Sequence, residues 1–119
     1  MIVHICKRQD WDAAQENGFY TPDSLSEIGF IHCSRPEQVV SVANEFYRMQ
    51  YGLVLLWINP GKVNAEIRWE VPVGLTLAGN QPLEDVFPHI YGTLNLDAVT
   101  SVSGFSPDSD GVFRSLPEH

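Results

Sequence analysis

Gly29-Phe30-Ile31-His32-Cys33-Ser34, followed at once by Arg35-Pro36-Glu37, is the stretch on which the fold turns. It reads as a short strand over 29–33 that delivers a histidine and a serine to the mouth of a helix. Phe30, His32 and Ser34 share one parity, so an extended chain points all three to one face. Ser34 opens Ser-x-x-Glu with Glu37, the capping-box pattern, and Pro36 suits the first helical turn. The start of a helix offers free backbone N–H groups and partial positive charge, which suits a phosphate or carboxylate. The segment therefore sets a titratable ring beside a potential anion site. The plainer reading is a strand-to-helix junction with an ordinary cap.

Outward from this junction the pattern stays legible. Val39, Val42, Ala43 and Phe46 recur at helical spacing, which predicts a helix from about 36 to 50, ended by Gly52. Leu53-Val54-Leu55-Leu56-Trp57-Ile58 is a continuous apolar run, as expected of a strand buried on both faces. Asn59-Pro60-Gly61 signals a turn. Ile67, Trp69 and Val71 alternate with Glu66, Arg68 and Glu70, which predicts a half-buried strand. Upstream, residues 1–6 read as a strand and 8–17 as a short helix with Trp11 and Ala14 as apolar contacts, joined to the junction by a connection over 19–28. Downstream, 75–77 is a possible strand with a turn at Gly79-Asn80, 87–94 is extended, and 97–102 reads as a last strand. Two helices among many strands give an α+β class with a mostly antiparallel twisted sheet. The expected organisation is one domain over 1–105 and a polar, flexible tail over 106–119, in which Val112 and Phe113 have the character to dock.

The 15 acidic residues against 7 basic ones argue against nucleic acid and anionic membrane as partners, because both demand cationic contacts. A small anionic ligand in a local pocket is still allowed, since charge is screened over about 10 Å. The opening residues do not read as a signal peptide, so a cytoplasmic location is expected. Cys6 and Cys33 then read as reduced thiols. Oligomeric state leaves no mark in the sequence.

His4, His32 and His89 each lie among apolar or aromatic neighbours, where a histidine is either a satisfied structural residue or part of a cleft. His89 and Tyr91 share a face of an extended segment, and Tyr91 can donate a hydrogen bond or stack on a flat ring. Glu70 is the carboxylate to single out, against the alternative that Glu66, Arg68 and Glu70 form a solvated ladder. Cys33 invites a thiol-dependent hydrolase or transferase reading, but His32 points to the opposite face of the strand. No metal-ligand spacing, phosphate loop or nucleophile elbow is present, so no metal or firm cofactor is expected.

Phe30-Ile31-His32-Cys33-Ser34, Arg68-Trp69-Glu70 and Phe87-Pro88-His89-Ile90-Tyr91-Gly92 together resemble a small uncharacterised bacterial family, domain of unknown function 952, over His4 to about Val102. That family is in turn remotely similar to the ADP-ribosyltransferase-like fold. The resemblance implies that His4 contacts a ribose, that His32 and Ser34 form the second motif before the helix, and that Glu70 or His89 stands at the third. It implies NAD or a related ribose-phosphate ligand, with cleavage or transfer of ADP-ribose, and phosphates met by Arg35, Arg68 or the helix start near Ser34. On this reading His4, His32, Glu70 and His89 are the catalytic candidates, and Ser34, Arg35, Arg68 and Tyr91 the ligand-binding ones. A non-catalytic binding module using the same cleft is the alternative.

Overall fold

In a computed structural model, which describes residues 1–71 and 86–118, the chain is an α+β fold of short antiparallel sheets and three helices. The expected strand at 75–77 and turn at Gly79-Asn80 lie outside the described residues. The order is β1 (Ile2–Lys7), α1 (Arg8–Asn17), β2 (Phe19–Tyr20), α2 (Ser24–Glu27), β3 (Ile31–His32), α3 (Pro36–Phe46), β4 (Leu53–Ile58), β5 (Glu66–Glu70), β6 (Phe87–Tyr91), β7 (Leu94–Asn95) and β8 (Val99–Phe105). Among the described residues the strands form three sheets, β1-β4-β8, β2-β7 and β3-β6-β5, in which every pairing is antiparallel.

β4 is the axis. All six of its residues are buried, as its apolar run requires, because both faces of its sheet are covered. Val3, Ile5, Leu53, Leu55 and Trp57 pack against Val39 and Ala43 of α3. The opposite parity, Ile2, Cys6, Val54, Leu56 and Ile58, packs against Trp11 and Ala14 of α1, and against Ile31 and Ile90 of the third sheet. This second layer decides the site. With Ile31, Ile67 and Ile90 turned into the core, the opposite parity of β3, β6 and β5 faces outward.

Several expectations shift. β3 is two residues long, although the chain keeps one more bond to β6, from the Cys33 N–H to the Pro88 carbonyl at 3.1 Å. It then makes an isolated bridge with β1, where Ser34 and Val3 exchange backbone bonds of 2.8 Å in both directions. The cap of α3 is Arg35, not Ser34, and the side chain that reaches back is Gln38, whose Oε1 accepts from the Arg35 N–H at 2.8 Å. Gln38 is buried and its amide also donates to the Val86 carbonyl, so the longer-range contact fixes the register of the cap. The helix stops at Phe46, before Gly52, and Met49 takes a left-handed φ of 64° in the turn that follows. A third helix, α2, occupies part of the connection expected over 19–28; at four residues it is too short for a periodic signal.

The stretch after β8 is anchored rather than loose at its middle. Phe113 is buried, with its ring 4.8 Å from that of Phe105. Asn44 of α3 grips its backbone twice: Nδ2 donates to the Phe113 carbonyl at 2.8 Å and Oδ1 accepts from its N–H at 2.7 Å. Gly111 lies against Met49 with φ of 83°, where any side chain would collide. Phe113→Ala is expected to cost about 3 kcal/mol. Urea unfolding checks it: the midpoint should fall at unchanged slope, and an unchanged midpoint would mean the segment contributes nothing to the core.

Candidate functional site

The outward face of β3-β6-β5 collects most of the polar residues that the sequence singled out. β6 alternates, so Phe87, His89 and Tyr91 share this face. Their partners across β5 are Glu70, Arg68 and Glu66, and the partner of His89 across β3 is His32. The His32 and His89 rings meet edge to face, with centroids 5.7 Å apart. The alternation of β5 and the two-residue spacing of β6 thus become one array of charged and aromatic groups.

Glu70 is the centre of that array. His89 Nδ1–H donates to its Oε1 at 2.9 Å, and the Tyr91 hydroxyl donates to the same oxygen at 2.5 Å. These two donors hold the Glu70 carboxyl below the usual carboxylate range, the tyrosine bond contributing most. The bond acts in reverse on Tyr91, whose hydroxyl is pushed up because the neighbouring carboxylate opposes a phenolate. Both bonds fall on one oxygen, and among the described residues no donor reaches Oε2. The carboxylate is partly exposed, which gives an incoming hydroxyl access to it.

His89 itself is buried, stacked on Phe30 with ring centroids 4.1 Å apart and planes 20° from parallel. His32 is exposed, and partial desolvation together with the nearby His89 lowers its pKa, which favours the neutral ring. Arg68 lies over the Tyr91 ring at 4.2 Å and pairs with Glu66 at 2.9 Å. The expected solvated ladder thus exists at Glu66 and Arg68, while Glu70 turns away to the ring cluster. Phe30 also stands 5.2 Å from the Tyr91 ring, so Tyr91 is held between Arg68 and Phe30.

The other candidates lie apart from this face. Arg35 caps α3, with Nε 3.5 Å from Glu37. Ser34 is buried at the bridge to β1. His4 points inward with Ile2 and Cys6: its Nδ1–H donates to the His32 carbonyl, and its Nε2 accepts from the Tyr20 hydroxyl at 2.8 Å. Burial lowers its pKa from 6.5 to about 4. His4 thus meets His32 through the backbone, and its ring takes no place in the outward array. Both thiols are buried. Desolvation pushes Cys6 up to about 12 and Cys33 further still, the opposite of an activated thiolate, which removes the support for a thiol-dependent reaction at Cys33. Among the described residues no group of His, Cys, Asp and Glu is placed to hold a metal ion, and no helix is long and apolar enough to cross a membrane.

Residues 5–102 match the family described as "Protein of unknown function (DUF952)". The chain belongs to this family. Its fold is similar to the crystal structure of protein CC0527 from Caulobacter crescentus, at 32% identity and a TM-score of 0.76, covering 95% of this chain and 92% of that one. The solution structure of CC0527 gives 33% identity and a TM-score of 0.73, covering 95% and 90% of the two chains. No curated protein matches this chain. Two working residues escaped the sequence reading: Phe30 as the platform beneath His89, and Tyr20 as the partner of His4. Phe30 shared parity with His32, which was the available signal; Tyr20 left none.

Two outcomes are expected. In a carbon-detected NMR titration, the Glu70 carboxyl should titrate below the ordinary range, and Tyr91→Phe should move it back up; an unmoved midpoint would mean that the tyrosine does not hold the carboxylate. The second concerns His4. Its folded-state pKa is depressed, so the unfolded chain binds the extra proton and stability falls as pH drops through the window from 6.5 to about 4. At pH 5 this amounts to about 2 kcal/mol relative to pH 7. Urea unfolding of the unmodified chain and His4→Gln at both pH values should show that increment in the former alone.

Proposed function

We propose that the outward face of β3-β6-β5 binds NAD or a related ribose-phosphate ligand and cleaves or transfers its ADP-ribose. The observation that carries this reading is the Glu70 carboxylate, fixed at one oxygen by His89 and Tyr91 and presenting the other. A carboxylate held this way keeps its charge at neutral pH and accepts from a hydroxyl without reorganising. Those properties suit a ribose whose anomeric carbon becomes cationic as its bond to nicotinamide breaks. The remote similarity to the ADP-ribosyltransferase-like fold supports the same reading. A histidine-bearing strand runs into a helix at Pro36, and a glutamate arrives from a later strand on the same face.

The chemistry follows from these groups. Nicotinamide leaves with the electron pair of its bond to the ribose and needs no proton. Positive charge develops at the anomeric carbon and its ring oxygen, and Glu70 Oε2, bonded to the ribose 2′-hydroxyl, stabilises it. Water or an acceptor hydroxyl then adds to that carbon and loses its proton. His32, exposed and biased toward its neutral form, is the group able to take it. His89, buried against Phe30, holds Glu70 in place instead of touching the ligand. Arg68 is the cation on this face for a phosphate, at the expense of its bond to Glu66.

Titration with NAD and with ADP-ribose, followed by NMR, is expected to move the His32 and Glu70 signals, and nicotinamide should accumulate in the presence of NAD. Glu70→Gln keeps the shape but removes the charge, and should lower that release about 100-fold or more. Ligand shifts without any nicotinamide would leave a binding module. If millimolar NAD and ADP-ribose move no histidine signal, the nucleotide reading fails.

A further inference from the structure

The resemblance assigns His4 to the ligand, but its geometry gives it different work. Both ring nitrogens are engaged inside the protein, Nδ1 with the His32 carbonyl and Nε2 with the Tyr20 hydroxyl, and the residue is 8% exposed. The ring planes of His4 and Tyr20 are tilted, with centroids 5.4 Å apart. Tyr20, His4 and the His32 backbone therefore form one buried chain of hydrogen bonds, each donor meeting an acceptor. The chain ends on the peptide group of the residue that faces the ligand. A ligand hydroxyl reaching His4 would have to displace one of these bonds at a site closed to solvent.

We propose that His4 is a positioning residue, which sets His32 on the outward face by holding its carbonyl from the β1 side and does not contact the ligand. The inference rests on the outward face being the ligand site. The local geometry explains the need. The Cys33 N–H still donates to the Pro88 carbonyl of β6, and Ser34 then bonds Val3 of β1, so the His32 carbonyl, on the side of its peptide away from β6, lies between the two ladders and neither satisfies it. Donation from His4 Nδ1 requires the neutral tautomer that carries its proton there, and the Tyr20 hydroxyl selects that tautomer by donating to Nε2.

The test uses the whole chain, and part of it needs no ligand. Long-range proton–nitrogen NMR of the unmodified protein should show His4 protonated at Nδ1, and NAD that moves the His32 ring should leave the His4 ring unmoved. Protonation at Nε2, or His4 ring signals that follow NAD as those of His32 do, overturns the proposal. His4→Asn places an amide N–H near the lost Nδ1, and His4→Gln places its amide near Nε2. His32 should titrate as in the unmodified chain with Asn, and at a resolvably different pH with Gln. Equal His32 titration in both overturns the proposal, since a general packing role would not separate them. Tyr20→Phe covers the case in which neither variant folds. It removes the donor to Nε2 and should relax the tautomer preference, and an unchanged preference counts against the chain. Failure of the nucleotide reading would appear as silence of His32 toward NAD, with these ligand-free results intact.

Discussion

The structure depends on a single buried ring. His4 belongs to β1, bonds the His32 carbonyl of β3, and accepts from Tyr20 of β2. These strands lie in three different sheets, so one imidazole ties all three together. The arrangement answers a backbone problem. A strand that changes partners leaves a peptide group between ladders, and an unsatisfied buried carbonyl costs about 1–3 kcal/mol. A neutral histidine can donate and accept at once along a fixed axis, which an alcohol or amide at this reach would not reproduce. The low pKa of His4 has a separate cause: burial disfavours the imidazolium, and the bond to the His32 carbonyl opposes that shift without overcoming it.

That tie lets the third sheet present a polar face. Ile31, Ile67 and Ile90 are committed to the core, so alternation turns His32, His89, Arg68 and Glu70 the other way. On a two-residue strand a single apolar residue, Ile31, marks the register of that face. Here His32 is held from below by its carbonyl and from beside by its pairing with His89. His89 is held in turn by Phe30 and Glu70. Rigidity in the outward groups is therefore inherited from inward ones.

The parts of this fold visible in the sequence were those with a long periodic signal. The apolar run of β4, the alternation of β5 and the spacing of Val39 and Ala43 in α3 each state their own burial. What escaped depended on a distant partner. Glu37 completed a capping pattern with Ser34, yet Gln38 won because Val86, far along the chain, fixed its side chain. The end of α3 was read too late because Val39, Val42 and Ala43 mark a face without marking its length. Phe113 was legible as a residue able to dock, but not where, because its partners, Phe105 and Asn44, lie on separate elements. In the site, parity identified His89 and Tyr91 as neighbours correctly. It could not show that His4, with the same apolar surroundings as His32, faces the interior.

Charge sets a final constraint on any ligand. The chain carries a formal net charge of −8, which opposes the approach of an anion until it is within a screening length of about 10 Å. On the outward face Arg68 already shares its charge with Glu66 and rests on Tyr91, so a phosphate there competes with an existing ion pair. An exposed pair of that kind contributes little, so giving it up is no large barrier, but the gain is equally small. Glu70 differs: its two donors are already in place, and an uncharged hydroxyl meets no net repulsion. On the proposed reading, recognition on this face would be led by hydroxyl and ring contacts, with phosphate secondary, which is the order of preference expected of a site built around a ribose rather than around a phosphate.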